Sequence, residues 1–216
     1  MTPPMGPVAI VADADLQERP IDPGQKIRIP KLTIPAPPQG DSGAVAEAAK
    51  LLVNAEYPVI MADRVARTPR GAELLVELAE TLQAAVLDAQ GRVNFPSRHP
   101  LAGGSVRNAD VILALEHSDI WGATNEMIDQ LHRSAAPTTK PGVKIITIAA
   151  TDLFTKSNYQ DFQRMREADI SMAADAEATL PALIEAVKKL ITADRRRFLD
   201  DRGKKIAEAN ARAREN

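Results

Sequence analysis

Three histidines, His99, His117 and His132, are the side chains in this sequence whose ordinary titration range suits proton transfer or metal ligation near neutral pH. They stand far apart, without the His-x-x-x-His spacing that sets two imidazoles on one helix face. His99-Pro100, following Phe95-Pro96, reads as a structured loop. The sequence contains no cysteine, which removes thiolate nucleophiles, cysteine-based zinc and disulfides from consideration. Gly103-Gly104-Ser105 has the outline of an anion nest or nucleophile elbow, but Gly-x-Ser-x-Gly is absent, and a plain turn is expected. Asp152, Ser157, Asn158, Tyr159 and Asp161 gather polar groups without an acid–base pair defined by spacing. They read as positioning the segment that leads to Phe162. Trp121, in Ile120-Trp121-Gly122, reads as a core or interdomain plug. Arg195-Arg196-Arg197 lies among Asp194, Asp200 and Asp201, so the positive charge a nucleic-acid arm requires is cancelled locally. No self-sufficient catalytic site emerges from these residues.

The elements that would position such side chains are clearer. A formal net charge of -2 gives no electrostatic reason to expect nucleic acid as a partner. No apolar run approaches the ~20 residues of a membrane span. Met1 is followed by Thr-Pro-Pro rather than a basic and then apolar leader, so a cytoplasmic protein without a membrane partner is expected. From Asp41 onward, helical spacing at Val45, Ala48, Ala49, Leu52 and Val53 predicts a helix capped by Asp41 or Ser42. A strand over Val59–Met61 follows. Thr68 and Pro69 form an N-cap and first-turn pair for a helix carrying Leu74, Leu75, Leu78, Ala79 and Leu82. Strands are expected at Ala85–Leu87, Val111–Leu115, Lys144–Ile148 and Ile170–Ala173. A closing helix after Asp175 presents Leu180, Leu183, Ile184, Val187 and Leu190. Short continuous aliphatic strands between amphipathic helices predict an α/β domain over 41–192. Its sheet is doubly wound and mainly parallel, with helices on both faces.

The flanks differ from this core. Pro7 to Ala12 is an apolar run short enough for a doubly covered strand. Between Ile27 and Pro38, Pro30, Pro35, Pro37 and Pro38 alternate with Ile29, Leu32 and Ile34. Proline fixes φ and removes a donor, so this stretch is expected to be extended, a strap laid along another surface. Residues 193–216 are polar, with helix propensity but only Phe198, Leu199 and Ile206 to bury. They read as a connecting helix.

The succession GPVAIVADADLQERP, a Pro-rich crossing, AVAEAAKLLVNAEYPVIMADRV, GAELLVELAETLQAAVLD, NFPSRHPLAGG, NADVILALE and DAEATLPALIEAVKK resembles the middle of a thiamine-diphosphate-dependent enzyme. The acetolactate synthase and benzoylformate decarboxylase branch is the nearest in character. The resemblance implies that residues 1–20 are the terminal strand of a pyrimidine-binding domain and 21–40 a linker. It further implies that 41–192 form the Rossmann-like central domain, and that 193–216 lead toward a pyrophosphate-binding domain. The implied partners are those two domains and further copies of the chain in a homo-oligomer. The implied chemistry is carbon–carbon bond cleavage or formation on 2-keto acids or acyloins.

The same resemblance implies which residues do not carry the coenzyme. In that family the activating glutamate belongs to the pyrimidine domain, and a Gly-Asp-Gly motif with following asparagines holds diphosphate and magnesium in the third domain. Gly-Asp-Gly does not occur in this sequence; Gly40-Asp41 is followed by Ser42. The chain itself is therefore expected to be noncatalytic and to bind neither thiamine diphosphate nor Mg²⁺. Some related central domains hold FAD or ADP at the carboxyl ends of their strands, which makes Asp63, Arg64, Glu116 and Thr151 the candidate cofactor-binding positions. The turn Ala62-Asp63-Arg64-Val65 lacks glycine. Ala149, Ala150 and Thr151 offer no acidic partner for a ribose, and the charge of Glu116 opposes a phosphate, with Arg64, Arg67 or Lys156 as compensating cations. A vestigial nucleotide site is expected, with a FAD- or ADP-binding module or a free-standing interaction domain as the alternatives.

Overall fold

The computed structural model describes residues 9–88, 93–129, 131, 134–150 and 165–215, and the chain divides into two units, 1–37 and 38–216. Among its described residues the first unit holds one short helix, α1 (Ala14–Glu18), none of whose residues is buried. Asp13 caps it, its carboxylate accepting from the Asp15 amide at 2.9 Å. Residues 9–12 of the leading apolar run form no strand. From Gln25 to Pro37 the backbone takes neither helix nor strand, as its prolines dictate. Ile27, Ile29, Leu32 and Ile34 are exposed.

The second unit is built around a parallel sheet. Asp41 accepts from the Ala44 amide at 3.0 Å and starts α2 (Ser42–Asn54), whose Val45, Ala48, Ala49, Leu52 and Val53 are all buried. Strand β1 (Pro58–Ala62) follows. Thr68 then caps α3 (Pro69–Leu82), with Pro69 in the first turn, where its missing N–H costs nothing. Next come β2 (Ala85–Asp88), a 3-10 turn at Val106–Asn108, and β3 (Val111–Leu115). A five-residue helix α4 (Ile120–Thr124) leads into an antiparallel hairpin of β4 (Asn125–Asp129) and β5 (Ser134–Pro137). Strands β6 (Lys144–Ala149) and β7 (Ile170–Ala173) complete the main sheet, and α5 (Ala176–Leu190) and α6 (Ala193–Glu215) close the chain.

The main sheet has the order β2-β1-β3-β6-β7, and every adjacent pair is parallel. Val59 lies beside Ala85 on one side and Ile112 on the other, and Leu113 lies beside Ile146. All five residues of β1 and of β3 are buried. This explains their unbroken aliphatic sequence, since a strand covered on both faces has no solvated side to alternate with. Helix α5 packs against both α2 and α3. Its N-terminus also ties down the start of the unit: the Asp175 amide donates to the Pro38 carbonyl at 2.9 Å, and the Gly40 amide to Thr179 Oγ1 at 3.0 Å. Gly40 needs to be small, because a Cβ there would lie 2.9 Å from Met172 Sδ.

Helix α6 does not project away from this unit. Leu199 and Ile206 are buried, and so is the side chain of Arg202. The Arg202 guanidinium donates to the carbonyls of Ala55, Glu56, Leu82 and Gln83, while Arg195 donates to those of Val53 and Ala55 and Arg196 to that of Thr81. These are the terminal carbonyls of α2 and α3, where the helix dipole favours positive charge. Farther along α6, Asn210 Nδ2 and Arg214 donate to the carbonyls of Pro100, Arg98 and His99. No helix among the described residues is long and apolar enough to cross a membrane.

Candidate functional site

The chain reverses its direction of winding between β1 and β3: β2 lies on one side of β1, and β3, β6 and β7 on the other. In an open α/β sheet the crevice beyond the carboxyl ends at that switch point is where ligands bind. Asp63 immediately follows β1 and Glu116 immediately follows β3, so both candidate acids stand at this crevice. The ladder carries them into place: the Asp63 amide donates to the Leu115 carbonyl at 3.1 Å, and the Glu116 amide to the Ile148 carbonyl at 2.9 Å.

Asp63 is fully buried. Its Oδ2 accepts from the Ser118 amide at 3.1 Å and from Ser118 Oγ at 2.7 Å, which fixes the loop after β3 against the end of β1. Glu116 is 5% exposed and has φ of 48°, in the left-handed region that side chains other than glycine seldom occupy. Its carboxylate spans two elements, accepting from the Ala150 amide just beyond β6 at 3.1 Å and from the Ala176 amide that opens α5 at 2.9 Å. Arg67 Nη1 lies 3.8 Å from Glu116 Oε1, and the same guanidinium forms a close ion pair with Asp175. Burial pushes the Glu116 carboxyl above its ordinary value, while the Ala176 and Ala150 hydrogen bonds and the Arg67 charge pull the other way.

The surrounding helix starts are filled in the same manner. Asp175 caps α5, its Oδ1 accepting from the Ala178 amide at 2.9 Å. Glu177 reaches across to the start of α3, where its carboxylate accepts from the amides of Arg67 at 2.9 Å and Thr68 at 3.3 Å and from Thr68 Oγ1 at 2.5 Å. His117, also buried, accepts from the Asp119 amide on Nδ1 at 3.2 Å, which leaves its proton on Nε2. Burial holds this imidazole below its ordinary value, against the opposing charges of Asp63 and Asp119.

The crevice therefore brings together two of the four positions expected from the sequence, Asp63 and Glu116. Arg64 is exposed, and its backbone carbonyl accepts from Arg67 Nη1 at 3.4 Å. Thr151, Lys156 and the polar cluster from Asp152 to Asp161 lie outside the described residues, as does His132. Sequence reasoning missed Ser118 and Glu177 as members of the site. The usable signal for Glu177 was its place in the first turn of a helix, where a carboxylate complements the dipole; nothing in the sequence marked Ser118.

A nucleotide pyrophosphate requires converging backbone donors with room for an anion. Here the Ala150 and Ala176 amides hold Glu116, and the Arg67 and Thr68 amides hold Glu177. These residues do not fit a phosphate-bearing cofactor. Among the described residues, no group of three or more histidine or carboxylate side chains is placed to hold a metal. His99 is engaged structurally: its Nε2 lies 3.2 Å from Glu80 Oε1, its Nδ1 accepts from the Leu101 amide, and its ring meets Phe95 edge to face at 4.8 Å. Gly103 and Gly104 have φ of 108° and 121° and make the turn beside β2, where a Cβ on Gly104 would lie 2.8 Å from that of Ala85.

Comparison with known proteins agrees with this architecture. Among solved structures, a chain isolated from Mycobacterium smegmatis and assigned as a thiamin diphosphate-dependent enzyme superposes with a TM-score of 0.53 at 15% identity, over 74% of this chain and 30% of that one. Benzoylformate decarboxylase from Polynucleobacter necessarius gives a TM-score of 0.52 at 17% identity, over 75% and 31% of the two chains. At such identities the likeness is one of fold, and this chain spans less than a third of either relative. The sequence model of the thiamine pyrophosphate enzyme central domain matches residues 45–183, from the first turn of α2 into α5. By that match the chain belongs to the thiamine pyrophosphate enzyme family, through its central domain.

Proposed function

We propose that this chain is a noncatalytic scaffold, the central domain of a thiamine-diphosphate-dependent lyase, decarboxylase or acetolactate synthase-like enzyme acting on 2-keto acids or acyloins. Residues 41–192 form that domain, residues 1–20 and 21–40 are a strand remnant and a linker, and 193–216 connect toward a pyrophosphate-binding domain. The partners are the pyrimidine- and pyrophosphate-binding domains, which hold thiamine diphosphate and Mg²⁺, and further copies in a cytoplasmic homo-oligomer. The carbon–carbon chemistry is the coenzyme's own, and no residue of this chain is assigned a step in it.

The observation that carries this reading is the state of the switch-point crevice. Its backbone donors are taken by the chain's own carboxylates, Glu116 and Glu177, so that the place where such a sheet binds a nucleotide is given over to internal structure. The lack of a Gly-Asp-Gly motif supports the same conclusion for the diphosphate of the coenzyme. The test is turnover. With thiamine diphosphate, Mg²⁺ and a panel of 2-keto acids supplied, carbon dioxide or acyloin formation is expected to equal that of the coenzyme alone. Product formation that scales with added protein contradicts the scaffold reading.

A further inference from the structure

Glu116 has two unusual properties at once. Its backbone is left-handed, with φ of 48°, although a glutamate gains nothing from that conformation. Its carboxylate sits where amides from two separate elements converge, Ala150 at 3.1 Å and Ala176 at 2.9 Å, with the Arg67 guanidinium 3.8 Å away. Strand-end and helix-start amides supported by a cation form the donor set that phosphate groups take in folds of this kind. The left-handed turn falls at the residue whose side chain reaches both amides.

We propose that Glu116 is a built-in occupant of the switch-point crevice, its carboxylate standing in for a ligand phosphate and shutting phosphate-bearing ligands out. The inference rests on the scaffold reading and gives it a cause: the donor set persists, and one side chain blocks it. The charges facing Glu116 are consistent with this. Arg67, from the loop after β1, and Asp175, the N-cap of α5, are the charged groups that act on it. Arg67 is shared between Glu116 and Asp175. With Glu116 ionised, the immediate cluster carries two negative charges against one positive. Without it, Arg67 faces Asp175 alone and the repulsion against an incoming anion falls.

The test compares wild type, Glu116→Gly and Glu116→Asn by thermal unfolding in inorganic phosphate and in ADP, against chloride at matched ionic strength. Glycine accepts the positive φ without strain, and asparagine tolerates it while being one methylene too short to reach both amides. The expected result is no phosphate- or ADP-dependent shift for wild type. At least one variant is expected to show a saturable rise of about 5 °C when ligand exceeds its dissociation constant a hundredfold. A response to phosphate and ADP alike marks a phosphate site; a response to ADP alone marks a nucleotide site, and either supports the plug. If a variant that melts cooperatively shows no response to either ligand, or if both variants fail to fold, Glu116 is a structural tie and the proposal is overturned, with the scaffold reading intact. A wild type that responds to ADP as strongly as the variants overturns the scaffold reading itself.

Discussion

At the scale of single residues, Glu116 and His117 are neighbours whose burial acts in opposite directions. Desolvation disfavours the charged form of each, raising the carboxyl and lowering the imidazole. For Glu116 the folded state binds its proton more readily than the unfolded chain. Its contribution to stability is therefore full below the ordinary value of 4.5 and is lost as pH rises through the raised one. For His117 the contribution is full above the ordinary value of 6.5 and is lost as pH falls through the lowered one. Urea unfolding from pH 8 to pH 4 is expected to separate them. Relative to wild type, Glu116→Gln becomes progressively less stable as pH falls, and His117→Gln progressively more stable. Parallel curves for all three proteins would show that neither group is desolvated as described. Both strand-end acids were legible in the sequence, because a charged residue directly after an aliphatic strand stands at its carboxyl end. Their partners were not: Ser118 meets Asp63, and the Ala150 and Ala176 amides meet Glu116, through tertiary contacts that no periodicity encodes.

At the scale of elements, capping and punctuation made most boundaries readable. Asp41, Thr68 and Asp175 each start a helix at the position their residue types indicate, and Pro58 opens the strand that follows α2. The hairpin of β4 and β5 was hidden because its residues are mostly exposed and lack the alternation of a half-buried strand. The docking of α6 was hidden for a different reason. It rests on arginines satisfying helix carbonyls, a pattern that a search for apolar stripes passes over. Arg202 carries the largest share. Burial, with repulsion from Arg195, lowers its guanidinium to about 10, still well above neutral pH, so it remains a cation bound to four carbonyls. Arg202→Ala leaves those buried acceptors unpaired and is expected to cost roughly 3 kcal/mol in urea unfolding. Arg202→Lys is expected to recover little, since an ammonium cannot span two helix ends as a planar fork does. Full stability of Arg202→Ala would mean that α6 is held by Leu199 and Ile206 alone. Gly203 belongs to the same contact: a Cβ there would meet the end of the Gln83 side chain, which would have to move aside.

At the scale of the whole molecule, the order of landmarks along the chain identified the family where no single motif could. The sheet order then places Asp63 and Glu116 side by side at the switch point. Substrate choice was not legible, because the proposed reading leaves it to domains other than this one. The proposed division of labour, with scaffold here and coenzyme elsewhere, is tested most directly by calorimetric titration of the purified chain with thiamine diphosphate in the presence of Mg²⁺. A flat titration, indistinguishable from dilution, is predicted. A saturable heat with defined stoichiometry would contradict the central claim.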